Sequence, residues 1–187
     1  MNKNRILKSA VLTVLTLLWM VLIFMMSGAD DDESKAQSGS VCRILCETFV
    51  EDFENLPPDK QLDIEESLSF PVRKCAHFTE YTVLGVLLTL TADAWLPAGQ
   101  RDSAGSCTDS LSAGFLPVRA GFAAPFFIGV LYAVSDEIHQ LFVPGRAGQI
   151  RDVLIDACGV FVGIITANRL LRRSAKGGQN PDTGAHN

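Results

Sequence analysis

The sequence predicts an all-α, polytopic membrane fold: four transmembrane helices, with a short extracytoplasmic amphipathic helix between the first and second. Three observations carry this expectation. Hydrophobic residues make up 48% of the 187-residue chain although charge stands at an ordinary 20%, so long apolar blocks must alternate with strongly polar loops. Four such blocks are visible, each near the ~20 residues that cross a ~30 Å hydrocarbon layer. The basic residues gather at the chain ends, whereas acids follow the first block. The length suits one domain. A net charge of −5 without a basic face excludes a nucleic-acid binder.

Residues 1–9 form a cytoplasmic N-terminus bearing Lys3, Arg5 and Lys8. The first span, 10–26, reads AVLTVLTLLWMVLIFMM and carries no charge. A secretory h-region cleaved at Ser27-Gly28-Ala29 is the alternative, but this block is longer than the ~7–15 residues usual there, which favours a retained helix. Residues 27–74 form an acidic extracytoplasmic loop, with DDDE at Asp30–Glu33 and EDFE at Glu51–Glu54. Within it Val41, Ile44, Leu45, Phe49 and Leu56 recur at helical spacing. They predict an amphipathic helix starting near Ser40 and ended by Pro57-Pro58, lying on the membrane surface or capping the bundle.

The second span covers 75–96, and the Gly/Ser/Ala-rich loop 97–119 is expected to be irregular and cytoplasmic. The third span covers 120–143, a short outer loop 144–152, and the fourth span 153–171. The tail 172–187 reads as disordered. Arg101, Arg119, Arg169, Arg172, Arg173 and Lys176 join the N-terminal cations on one side, so the positive-inside tendency puts both termini in the cytoplasm. Five cysteines leave the redox compartment open. Cys42, Cys46 and Cys75 permit a disulfide, yet no CxxC or Cys/His metal spacing occurs, and small buried apolar side chains are the simpler reading.

The polar residues inside these spans are the informative ones. The second span opens KCAHFTEYTVLG, where His77 and Glu80 share a face continued by Tyr81, Leu84 and Gly85. The third closes YAVSDEIHQLFVPG, where Tyr132, Asp136, His139 and Gln140 form a stripe with Glu137 at its edge, about 100° away. The fourth opens RDVLIDACGVFVG, placing Asp152, Asp156, Gly159 and Gly163 in one row. The start of the second span, the end of the third and the start of the fourth lie on one side of the membrane whichever way the chain inserts. Titratable side chains of three helices therefore share a depth of about 5–10 Å below one surface, and intramembrane ionisable groups favour a functional reading.

Gly159 and Gly163 make a G-x-x-x-G that turns the two aspartates toward a neighbouring helix. Arg73 and Lys74 stand before the second span, and Arg146 and Arg151 lie in the loop VPGRAGQIRD. With the N-terminal dipole ends of two helices they form an anion-receptive rim over an acidic, histidine-bearing floor.

The blocks RKCAHFTEYTVLG and YAVSDEIHQLFVPGRAGQIRDVLIDACGVFVG resemble the VanZ-like family of bacterial membrane proteins, and the likeness extends to the four-span layout and Ser27. The acidic outer loop and the inner loop lie outside it. The resemblance implies a role at the cell envelope; the family's name-giving member is associated with resistance to the glycopeptide teicoplanin.

Each polar group has a structural reading beside the functional one. Interhelical hydrogen bonds in membranes are worth only about 0.6 kcal/mol on average, a poor return on about 2.5–3.5 kcal/mol for a charge at the bilayer centre. His77, Glu80, Asp136 and His139 are thus read as catalytic or binding residues. Arg73, Lys74, Glu137, Gln140, Arg146, Arg151, Asp152 and Asp156 are read as ligand-binding. Tyr81 and Tyr132 read as packing, and Asp93, Cys158 and His186 as structural. The pocket is expected to bind a membrane lipid or lipid-linked envelope precursor without turnover. A membrane enzyme acting on a lipid head group, with His77 or His139 as acid–base, is the alternative, and a proton- or ion-coupled carrier is weaker, since the polar groups sit near one surface and not at midplane. Cofactor and metal identity stay open.

Overall fold

The computed structural model describes residues 2–28, 31–96, 120–144 and 148–177, with the backbone alone for 31–37, 120–121 and 175–177. Among the described residues all regular structure is helical. Five α-helices run in order: α1 Lys3–Ser27, α2 Asp31–Phe49, α3 Pro58–Trp95, α4 Ala120–Gln140 and α5 Ile150–Gly177, with a 3-10 turn at Phe53–Asn55. By length and apolar character alone, α1 is the described helix that qualifies as a membrane crossing.

The outer segment departs from expectation. The amphipathic helix begins at Asp31 and stops at Phe49, not between Ser40 and Pro57. Asp52, with φ 57° in the left-handed region, and the 3-10 turn then reverse the chain. Pro57-Pro58 opens the next helix in place of closing the last one: Pro58 occupies its first turn, where the missing N–H costs nothing and the fixed φ is already helical. In consequence α3 does not begin at Cys75. It runs 38 residues, about 57 Å, nearly twice a hydrocarbon layer. Its first half pairs with α2 as a helical hairpin, burying Cys42, Cys46 and Phe53. Both thiols are free. Burial, and then the nearby Glu65 carboxylate, push each thiol above its ordinary pKa.

The second half of α3 is the centre of the bundle and packs most extensively on α5. Gly159 and Gly163 lie against the backbone at Phe78 and Thr82, while Gly85 returns the contact against Val160. A methyl group at any of the three would collide with a carbonyl oxygen, so the G-x-x-x-G row sets the α3–α5 spacing. Ile23, Tyr81, Leu84, Leu88, Ala133, Val160 and Ile164 form the core around this contact.

α1 runs antiparallel to the second half of α3. Ser9 donates to the Ala94 carbonyl at 3.0 Å, the hydroxyls of Thr16 and Thr91 meet at 2.9 Å, and Trp19 donates from Nε1 to the Glu80 carbonyl at 2.9 Å. α4 ends at Gln140, before Val143, because the last amides turn back three residues: Leu141 N–H to Ile138 O, Phe142 to His139, Val143 to Gln140. Residues 172–177, expected in a disordered tail, continue α5. The loop 97–119 and the tail from 178 lie outside the described residues.

Candidate functional site

The site is built where four helix segments meet. α4 supplies its centre. Asp136 is 1% exposed and its Oδ2 accepts from Ser27 Oγ at 2.7 Å and from Gln140 Nε2 at 3.3 Å. The Gln140 bond follows from the i, i+4 geometry of one helix. The Ser27 bond crosses from α1, and no spacing rule within α4 contains it.

Helix α3 brings its stripe to the same place. Glu80 and Tyr81 lie within electrostatic range of Asp136. The Tyr81 ring is fully buried at 6.2 Å from the Tyr132 ring, and its hydroxyl faces the Asp136 carboxylate. His77 Nδ1 stands 3.7 Å from Glu80 Oε2, and both side chains keep a small exposed area. Lys74, one turn earlier, pairs with Asp152 of α5. Asp156, buried one turn further along α5, is within electrostatic range of Asp136, Glu137, Asp152 and Lys74.

The remaining predicted residues are distributed unevenly. Glu137, off the stripe, is buried because its Oε1 accepts the Gln149 N–H at 2.6 Å, capping the start of α5. His139 is stacked on Phe24 of α1, ring centroids 4.0 Å apart, beside Gly28. Arg151 is exposed and lies over the Phe70 ring at 5.3 Å; Lys74 approaches the same ring at 5.3 Å. Arg151 is therefore a rim residue next to Lys74, and Asp152 takes Lys74 as its ion partner. Arg73 is half-buried beside them. Arg146 falls outside the described residues, as does His186. Among the described residues, no three His, Cys, Asp or Glu side chains converge as metal ligands.

Sequence reasoning missed the contribution of α1. Ser27, Phe24 and Trp19 touch Asp136, His139 and Glu80 respectively, yet in a block that reads as uniformly apolar only Ser27, by its polarity at the helix end, gave a signal. Tyr132 does more than pack: its hydroxyl donates to the Met20 carbonyl of α1. Ser135, which precedes the cluster, is exposed and bonds only its own helix at the Tyr132 carbonyl among the contacts seen.

The arrangement thus has two layers. A rim of Lys74 and Arg151 around Phe70 lies over a buried floor of Glu80, Tyr81, Asp136 and Asp156, with His77 and His139 at its sides. Searches of curated proteins and of solved structures return no match to this chain. A family profile described as VanZ/LLP1 matches residues 12–172, a stretch that takes in the cluster residues from Phe24 and Ser27 to Asp156. The chain belongs to the VanZ/LLP1 family.

Proposed function

We propose that this VanZ/LLP1 protein is a multi-pass protein of the cell membrane, with α1, the second half of α3, α4 and α5 as its four spans. Its surface supports this. Leu17, Leu18 and Met25 of α1, Phe127 and Leu131 of α4, and Leu154 and Val162 of α5 point outward, while Ser9, Thr16, Ser27, Asp136 and Asp156 are buried. Apolar side chains outside and polar ones inside suit acyl chains as the solvent. Arg5, bonded to the Leu96 carbonyl, marks the end opposite the cluster, where Lys3, Lys8, Arg169, Arg172 and Arg173 also gather. That end is cytoplasmic by the positive-inside tendency, which sets the polar cluster near the outer leaflet and the α2–α3 hairpin outside.

In that setting the site binds a polar component of the envelope, a membrane lipid or a lipid-linked precursor, and by doing so lowers the access of teicoplanin-type glycopeptides to their target. One observation carries the reading: Asp136 is buried at the junction of helices that supply Ser27, Glu80, Gln140 and Asp156 around it. A group so costly to bury is not needed to join α3 and α5, already locked where Gly159 and Gly163 meet the backbone at Phe78 and Thr82 and Gly85 meets Val160. The enzyme reading rests on the partly exposed His77–Glu80 pair, suited to acid–base work on a head group.

Comparing lipid-linked precursors and glycopeptide susceptibility in cells with and without the gene separates these. Altered susceptibility with unchanged lipids, lost in Asp136→Asn, is the expected result. A changed head group dependent on His77 would establish the enzyme reading. Wild-type susceptibility at normal protein level in both Asp136→Asn and Glu80→Gln would remove the site from function.

A further inference from the structure

We infer that the inner layer of this site receives a primary ammonium group, while an anionic group of the same ligand is held at the rim by Lys74 and Arg151. This rests on the reading that the cluster holds an envelope component, and it specifies which part of that component reaches deepest.

The argument is an inventory of donors and acceptors. Among the described residues, three buried carboxylate oxygens have no donor at hydrogen-bond distance: Asp136 Oδ1, Glu137 Oε2 and Asp152 Oδ1, on residues 1%, 7% and 7% exposed. A buried polar atom left unpaired is costly, more so when charged, and native structures keep few of them. Glu80 and Asp156 add two more carboxylates within electrostatic range of Asp136. Lys74 already serves Asp152 through its other oxygen. Among the described residues, the carboxylate acceptors of Asp136, Glu137 and Asp152 therefore exceed the donors that reach them.

A phosphate brings only acceptors and negative charge, so it does not suit this layer. An ammonium brings three N–H donors and a positive charge, and charge-assisted bonds to carboxylates are the stronger kind. A quaternary trimethylammonium carries the charge without the N–H groups and leaves the orphaned oxygens unsatisfied. The buried Tyr81 hydroxyl, facing Asp136, can donate to that carboxylate and accept from the ammonium at once. The rim completes the match: Lys74 and Arg151 each lie 5.3 Å from the centre of the Phe70 ring, two cations for the phosphate or carboxylate of the ligand. Glu80, with a side chain 15% exposed, marks the side from which the ligand enters. Such a ligand is zwitterionic. Its ammonium belongs either to an amine-bearing phospholipid head group or to a lysine-type side chain on a lipid-linked peptide.

The test uses the full chain purified in detergent and native mass spectrometry of retained phosphatidylethanolamine, phosphatidylcholine and phosphatidylglycerol of equal acyl length. Ethanolamine and a lysine-containing tripeptide are tested in parallel by thermal shift. Retention of phosphatidylethanolamine at least ~10-fold above the other two, lost in Asp136→Asn and in Glu80→Gln, supports the inference with a lipid source. A thermal shift from the tripeptide that the same substitutions abolish, with the three lipids held equally, supports it with a peptide source. Glu80→Gln, at a partly exposed position, keeps the test readable should Asp136→Asn fail to fold. Phosphatidylglycerol held as well as phosphatidylethanolamine, and no tripeptide shift, overturns the ammonium assignment while leaving an envelope-lipid site intact. Absence of retention and of any shift overturns both.

Discussion

At the scale of single residues, the Lys74–Asp152 pair shows how this site balances charge. Each side chain keeps only a small exposed area, 20% and 10%, so neither charge is well solvated alone. Breaking a buried pair from one side leaves an uncompensated charge, whereas removing both partners is far less harmful. Lys74→Met is thus expected to lower stability by about 3 kcal/mol, and Lys74→Met combined with Asp152→Leu to recover at least half of that. Equilibrium unfolding in detergent measures both. If the double variant is as unstable as the sum of the singles, the two residues are not paired as described. The same reasoning explains why Arg151, expected to act with the binding residues, stands at the rim. With Lys74 on Asp152, the guanidinium finds the Phe70 face instead, where it keeps its hydration and gains a cation–π contact.

Among the elements, α5 was the most legible and α3 the least. The row Asp152, Asp156, Gly159, Gly163 follows from a period of 3.6 residues, and the structure turns that row toward α3. The contact is made by backbone atoms, so a side chain cannot be accommodated by a small rotation. Gly163→Leu is expected to abolish monodisperse protein in detergent, while Gly39→Leu on α2, which has open space around it, leaves yield and elution unchanged. Equal behaviour of the two variants in size-exclusion chromatography would contradict the packing. The start of α3 was misread because Pro-Pro marks a helix boundary without stating which side of it is helical. The segment 58–74 carries Asp59, Lys60, Asp63, Glu65 and Glu66, so it has no apolar run to announce it. Its helicity comes from pairing with α2 and from continuing a helix already nucleated in the bundle.

On the scale of the whole molecule, the architecture separates a bundle with an apolar exterior from an acidic helical hairpin. The proposed four-span arrangement predicts where each part is reached. In a cysteine-free background, Asp52→Cys is expected to react with a membrane-impermeant maleimide in intact cells, and Arg173→Cys only after permeabilisation. Labelling of Arg173→Cys in intact cells would refute the orientation, and with it the position of the site near the outer leaflet. The sequence by itself determined the helical class, the apolar blocks and the family, because hydropathy, periodicity and spacing are local properties of a chain. Only the tertiary structure decided that α1 closes the site through Ser27 and Phe24, that Glu137 caps α5, and that Asp152 pairs with Lys74. Those facts depend on which atoms of different helices come within about 3 Å of one another, and a hydrogen bond between residues 109 positions apart leaves no periodic mark on either of them.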